Sequence, residues 1–523
     1  MKTDKLLLII TLHFLFGSAV IASKDLPNIL VVMGDDISYS SFGAYGCEYI
    51  QTPNFDKIAE QGVLFTNAYA NNPKCAPARA CFLTGRYTWQ LEEAANHWPI
   101  MPPKWKFYPE LLEKAGYQIG YTGKGWGPGQ YYGEHNPAGW YYNDAKCKPP
   151  YNGIDNTDYV KNFEIFLDEN KEQKPFCFWL GIKEAHRKFE KDSYKKAGKD
   201  LSKLTVQKSL PDNDVIRGDL ADYGLEVEYY DTQLGKSIEL LKQKGLLDNT
   251  IIIVTADQGM AFPHIKGQVY DEACKVLFAV YWKDNIKGGR IITDFIQFPD
   301  VAPTIMELAG LKPHAQMTGK SFVNILLSKK TGRVDKERSY TLLGKERHDI
   351  GRVEGKLINL GYPARAIRTD EYLYIKNYKP ERWPVGNPEY GYKNMDDGPS
   401  KEYILSLGED SKYHKLSFGK RQAEELYDMS EDPDCVINLA YKPEYEAIKK
   451  QLEEVMTEKL SAQGDPRVLG KGDIFDDYPH GKGDMLREFY GEKYYDMHKK
   501  FADKYGNEVI TIPLPENYKV KQQ

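Results

Sequence analysis

A chain of 523 residues that is 41% hydrophobic and 28% charged has an ordinary globular composition, with length enough for one large core and a smaller domain. Its 70 basic and 75 acidic side chains leave a formal charge of -5, which gives no reason to expect nucleic acid as a partner but still allows a local basic pocket for an anionic substrate. Seven cysteines without a CxxC pair exclude a disulfide framework and a thiolate zinc site, and at least one of them must lack an internal partner.

The chain opens with MKTDKLLLIITLHFLFGSAVIASKD, in which Lys2 and Lys5 precede an apolar run from Leu6 to Phe16, and small residues follow around Val20 and Ala22. This predicts a cleavable signal peptide over residues 1–22, a secreted or periplasmic product, and no stable membrane insertion after cleavage. NILVVM (28–33) reads as a buried parallel strand. TPNFDKIAEQG (52–62) reads as a helix with Thr52 as N-cap, Pro53 in its first position and Gly62 as its stop. In NNPKCAPARACFLTGR (71–86), Pro77 sits in the first turn of a helix ending near Thr84-Gly85, so Cys75 falls at the helix N-terminus. YPELLEKAG (108–116) is a short helix, and YQIGYTG (117–123), PFCFWLG (175–181) and TIIIVTA (250–256) read as strands. Between residues 219 and 244, Val227, Tyr230, Leu234, Ile238 and Leu241 line one helical face. DVAPTIMELAG (300–310) is a further capped helix.

From about Ala366 the texture changes to an alternating strand, AIRTDEYLYIKNY, then turn chemistry, then a helix in YEAIKKQLEEVMTEKLSAQG. The expected architecture is α/β, with a mainly parallel central sheet flanked by helices over residues 23–365 and a smaller C-terminal α+β domain over 366–523.

In open α/β sheets, ligands bind beyond the carboxyl ends of the strands. The predicted strands end in Asp35-Asp36, at Lys124, shortly before His186, and in Asp257-Gln258, which gathers acids, a lysine and a histidine on one edge. An aspartate pair and an Asp-Gln pair after two core strands offer hard oxygen ligands and suit a hard cation better than turn formation alone. Cys75 meets unpaired N–H groups and a helix dipole that favour an anion, with Arg79 one turn further on.

CAPARACFLTGR resembles the C-x-P-x-R-x-x-x-x-T-G signature of type I sulfatases, in the alkaline phosphatase-like superfamily. PNILVVMGDD, TPNFDKIAEQGVLFTNAY, AGYQIGYTGK, TIIIVTADQG, KGQVYDEA and ELYDMSEDPDCVINLA follow the family in order, from about Pro27 to about Ala440. The resemblance implies that a separate maturation enzyme oxidises Cys75 to formylglycine (3-oxoalanine), whose hydrate attacks sulfur through one hydroxyl and expels sulfate through the other. It implies one Ca2+ held by Asp35, Asp36, Asp257, Gln258 and the residue at Cys75. It also implies that Arg79 orients formylglycine, that Lys124 and Lys266 neutralise sulfate oxygens, and that His186 protonates the leaving atom.

Three positions depart from the family. Ala78 stands for a common serine, Gln258 for Asn or Asp, and Trp126, in GKGWG, for a histidine two residues after the lysine. His97 and His135 are the candidates for that histidine's work, with no spacing argument for either. TGKGWGPG, NPAG (136–139), PFCFWLG and RGDLADYGLEVEYYD are most similar to a heparan N-sulfatase-like subgroup. That implies an exo-acting enzyme on a sulfated carbohydrate, a glycosaminoglycan such as heparan sulfate, with Arg347 and His348 of GKERH near the sugar or else in a surface loop. Two other readings stand beside it: a phosphate or phosphonate monoester hydrolase on the same scaffold, and a non-catalytic sulfoglycan-binding protein.

Overall fold

The computed structural model describes residues 26–349, 352–354, 357–358 and 360–481; the expected signal peptide lies outside them. Eight strands form the central sheet: β1 (Asn28–Gly34), β2 (Val63–Phe65), β3 (Gln118–Gly123), β4 (Trp140–Tyr141), β5 (Phe176–Gly181), β6 (Thr250–Ala256), β7 (Phe278–Tyr281) and β8 (Arg290–Ile292). Their spatial order is β4-β3-β5-β1-β6-β7-β2-β8. Only β7 runs antiparallel to its neighbours; β1 lies parallel between β5 and β6, with Ile29 opposite Cys177 on one side and Ile251 on the other.

The alternation of side chains along a strand explains why NILVVM is apolar throughout. Leu30 and Val32 enter one core layer, while Ile29, Val31 and Met33 enter the other. Helices α1 (Pro53–Gln61), α4 (Tyr159–Glu169) and α5 (Asp214–Gln243) cover the first face. Helices α2 (Cys75–Thr84), α3 (Tyr108–Lys114) and α6 (Val301–Leu308) cover the second. The sheet is therefore buried on both sides, as the sequence predicts.

Two local details differ from the sequence reading. Thr52 precedes α1 but does not cap it through its side chain; its Oγ1 instead accepts from the Gly43 N–H at 2.9 Å. Helix α5 starts at Asp214, ahead of its apolar stripe, because Asn213 Oδ1 accepts from the Val215 and Ile216 N–H groups at 2.9 and 3.2 Å.

A second, antiparallel sheet contains β9 (Tyr340–Lys345), β10 (Ala364–Thr369), β11 (Tyr372–Asn377) and β12 (Glu424–Asp428), in that order, with α7 (Glu446–Ala462) packed on β10 and β11. The second sheet thus draws a strand from ahead of residue 366, where the sequence texture changes. Strand β9 pairs with β10 along its whole length, although the intervening loop carries no periodic signal to announce the partnership. Strand β9 also reaches the first domain, where the Gly344 N–H donates to the Asn71 carbonyl at 2.8 Å. Among the described residues no helix is long and apolar enough to cross a membrane.

Candidate active site

Five chain segments converge at the carboxyl edge of the central sheet. Strand β1 runs into Asp35 and Asp36, β6 into Asp257 and Gln258, β3 into Lys124, and the loop after β5 carries His186. The fifth is the start of α2: Cys75 is its first residue, and every residue of that helix is buried. Gly85 ends it in the left-handed conformation, at φ 68°, where glycine meets no Cβ penalty.

The acids and the cysteine form one cluster. Ligand atoms of Asp35, Asp36, Cys75 and Asp257 all lie within 4.8 Å of one another. Cys75 Sγ is 3.3 Å from Asp35 Oδ1, and Gln258 Nε2 is 3.0 Å from Cys75 Sγ and 2.5 Å from Asp36 Oδ1. Asp36 Oδ2 and Gln258 Oε1 are buried without a hydrogen-bond partner among the described residues. Two orphaned oxygens beside three carboxylates suit a hard dication, and a half-turn of the Gln258 amide would turn Oε1 toward the same cluster. The residues present therefore fit Ca2+.

Cations surround this group. Arg79 Nε donates to Asp257 Oδ2 at 2.8 Å, while its Nη1 donates to the Lys124 and Gly125 carbonyls at 2.8 and 3.0 Å. Lys124 Nζ reaches Asp35 Oδ2 at 2.5 Å, and Lys266 Nζ pairs with Asp36 Oδ1. Burial alone would raise the Asp35 pKa, but the Lys124 ammonium and Arg79 guanidinium overcome it and hold the carboxyl well below the usual range. Burial, reinforced by the Asp35 charge, pushes Asp257 up. Burial and Asp35 together push the Cys75 thiol up to about 12. His186 Nδ1 donates to the Arg187 carbonyl at 2.8 Å, leaving Nε2 3.8 Å from Asp36 Oδ2. Its side chain is 40% exposed, toward a cavity of about 470 Å3 that Lys124, Trp98, Pro128 and Lys183 also line.

The structure brings together Asp35, Asp36, Cys75, Arg79, Lys124, His186, Asp257, Gln258 and Lys266, all of them expected from the sequence. Arg347 does not lie in a surface loop: its buried guanidinium donates to the Tyr478 and Pro479 carbonyls at 2.6 and 2.9 Å. His348 packs at the back of the site, with Nε2 3.1 Å from Asn72 Oδ1. Gly267, at φ +69°, gives it room, since a Cβ there would stand 3.0 Å from His348 Nδ1. His135 lies away from the cluster, between Glu113 and Trp140. Trp126 is buried on α2 and its indole N–H donates to the Ala76 carbonyl at 3.2 Å.

Sequence reasoning missed Lys74, Asp349 and Asp396. Lys74 Nζ meets Asp349 Oδ2 at 2.7 Å, Asp349 Oδ1 meets His97 Nδ1 at 2.9 Å, and Asp396 Oδ2 stands 3.9 Å from Lys266 Nζ. The one available sequence signal was a lysine directly before the cysteine.

A family model described as Sulfatase matches residues 27–311. The chain belongs to the sulfatase family. A second model, described as N-sulphoglucosamine sulphohydrolase, C-terminal, matches residues 264–386 of this sulfatase. An ulvan-active sulfatase of Formosa agariphila is 31% identical over 450 residues, covering 86% of this chain and 82% of the relative. Human N-sulphoglucosamine sulphohydrolase is 23% identical, covering 86% and 93%. A solved structure described as in complex with its substrate, D-glucosamine-2-N,6-O-disulfate, superposes with a TM-score of 0.60 at 21% identity, covering 84% of this chain and 98% of that one. The chain is a sulfuric ester hydrolase on the alkaline phosphatase-like fold.

Proposed function

We propose that this sulfatase removes O- or N-linked sulfate from the end of a sulfated glycan, of glycosaminoglycan type, using formylglycine made from Cys75 and one Ca2+. The observation that carries the reading is the single buried cluster of Cys75 with Asp35, Asp36 and Asp257, flanked by Lys124 and Lys266. Support for a glycan comes from the relatives, whose names specify ulvan and N-sulphoglucosamine, and from the disulfated glucosamine bound in the similar structure.

Asp35, Asp36, Asp257 and Gln258 would hold the Ca2+, which supplies Lewis acidity beside the sulfate oxygens. Formylglycine at position 75 supplies an oxygen nucleophile with a built-in route for sulfate release. An unmodified Cys75 is a poor nucleophile, because burial keeps it a neutral thiol. Lys124 and Lys266 meet the charge that builds on sulfate oxygens in the transition state. Arg79 spans Asp257 and the Lys124 carbonyl and so fixes cation and carboxylate to α2. With Nδ1 committed to a carbonyl, His186 presents Nε2 to the cavity, where it can hand a proton to the leaving atom. The maturation enzyme is the partner this reading requires. A secreted or periplasmic location rests on the sequence of residues 1–22.

Two measurements test the proposal. Mass spectrometry of the peptide containing residue 75 should show a loss of about 18 Da on conversion of thiol to aldehyde. The converted protein should release sulfate from defined sulfated saccharides faster than it cleaves matched phosphate or phosphonate esters. Faster phosphate or phosphonate cleavage would favour the hydrolase alternative, tight sulfoglycan binding without turnover would favour the binding protein, and a Cys75→Ala variant with unchanged turnover would remove the nucleophile.

A further inference from the structure

The chain Lys74–Asp349–His97, buried at its lysine and histidine and partly exposed at Asp349, is not accounted for by the reading above. It draws on three separate places: Lys74 is the residue before α2, His97 follows α2 in sequence, and Asp349 lies just beyond β9 of the second sheet. The His97 backbone is fixed as well, since its N–H donates to the Arg347 carbonyl at 2.9 Å while the Arg347 N–H donates to Asn96 Oδ1 at 3.0 Å.

The ring's two nitrogens are treated differently. Nδ1 lies 2.9 Å from Asp349 Oδ1, so in the neutral ring Nδ1 carries the hydrogen and the lone pair falls on Nε2. Nε2 is buried and has no hydrogen-bond partner among the described residues. Buried polar atoms are seldom left in that state, and an imidazole with one nitrogen held by a carboxylate and the other open is arranged as a proton acceptor. Lys74, Lys124 and His348 are near enough to act on its charge.

We infer that His97, oriented by Asp349, is the second proton-handling histidine of this sulfatase and does the work for which Trp126 is unsuited. The inference rests on the proposed function. Hydrolysis of a sulfate ester breaks one S–O bond and forms another with an oxygen from water, whose two protons must go elsewhere. One goes to the leaving oxygen, for which His186 is placed; the other is released as sulfate forms, and His97 Nε2 takes it. The electrostatics suit that order. Burial, against the pull of Asp349 and with help from Lys74 and Lys124, holds the His97 pKa down to about 4, so the ring waits neutral. A bound sulfate dianion offsets those lysines and raises the affinity of Nε2 for the proton.

The test uses the full mature chain with Ca2+, in both the unmodified and the converted forms. Histidine side chains labelled with 15N are titrated with and without inorganic sulfate, with His97 identified by the signal lost in His97→Gln. The expected result is the Nδ1–H tautomer, with a His97 pKa that rises when sulfate is added in either form. In Asp349→Asn the tautomer preference is lost. In the converted enzyme His97→Gln lowers kcat by about 10²- to 10⁴-fold with KM nearly unchanged, and imidazole restores part of the activity of His97→Gly. A His97 signal unmoved by sulfate while His186 responds, or a His97→Gln enzyme within threefold of wild type, overturns the inference. Failure of wild type to release sulfate from any saccharide would instead defeat the proposed function, whereas the sulfate titration is read without turnover.

Discussion

Individual side chains carry the site's chemistry by being unable to satisfy one another. Gln258 Oε1 and Asp36 Oδ2 find no donor among the described residues, and under the proposed function a Ca2+ ion completes the cluster. Replacing Gln258 by Ala should weaken Ca2+ binding by about tenfold or more, measured by calorimetry; unchanged affinity would show that Oε1 is not a ligand. Much of this was legible in the sequence, because Asp35, Asp36, Lys124, Asp257 and Gln258 each follow a recognisable strand and strands of one parallel sheet end on one edge. Lys74, Asp349 and Asp396 were not, since their meaning comes from contacts across more than one hundred residues that no local pattern encodes. The burial of Arg347 was not legible for the same reason: its backbone partners lie at residues 478 and 479.

At the scale of elements, α5 carries a cost that the site's surroundings impose. Glu226 on that helix is buried, with neither carboxylate oxygen hydrogen-bonded among the described residues, and faces Glu184 in the segment leading to His186. Burial and the Glu184 charge raise its pKa to about 9. The folded chain therefore keeps a proton that the unfolded chain gives up near pH 4.5, so the associated stability is full below that pH and lost as pH rises toward 9. Glu226→Gln should be more stable than wild type at pH 8, by a few kcal/mol, and the gap should close toward pH 5. Urea unfolding at both values checks this; a gap independent of pH would mean Glu226 is ionised in the fold. A sequence reader sees in Glu226 only a polar position on an amphipathic helix, because Glu184, the carboxylate that acts on it most, arrives from another element.

Taken whole, the molecule joins its two largest sheets at the site. Arg365 on β10 donates to Asp465 at 2.6 and 2.9 Å and pairs with Glu346, which also binds Arg467 at 2.7 Å. This buried network fixes the stretch that continues to His348 and Asp349. Arg365→Ala leaves the buried Asp465 without its guanidinium and Glu346 with Arg467 alone, and should cost about 3–5 kcal/mol in urea unfolding. It should also reduce kcat, although Arg365 lies outside the cluster; full activity would show that the second sheet does not position the site. Chelating Ca2+ should lower the melting temperature by several degrees, reversibly, since an ion that binds only the folded chain stabilises it by mass action. The alternation of strands and helices revealed the first sheet, and the changed texture near Ala366 revealed part of the second. The contribution of β9 stayed hidden because antiparallel partners separated by an aperiodic loop leave no joint signal.

Cys75 is 2% exposed, and the helix it begins is buried along its whole length. Under the proposed function another protein must oxidise this very side chain, and no active site can close around it once α2 has docked. The modification thus has a deadline, set by how quickly the sheet and α2 come together after synthesis. Slower-folding variants should be converted more completely, and purified, folded Cys75 protein should resist the maturation enzyme until it is unfolded. Folding speed, usually counted as a virtue, would here limit the fraction of molecules that ever become active.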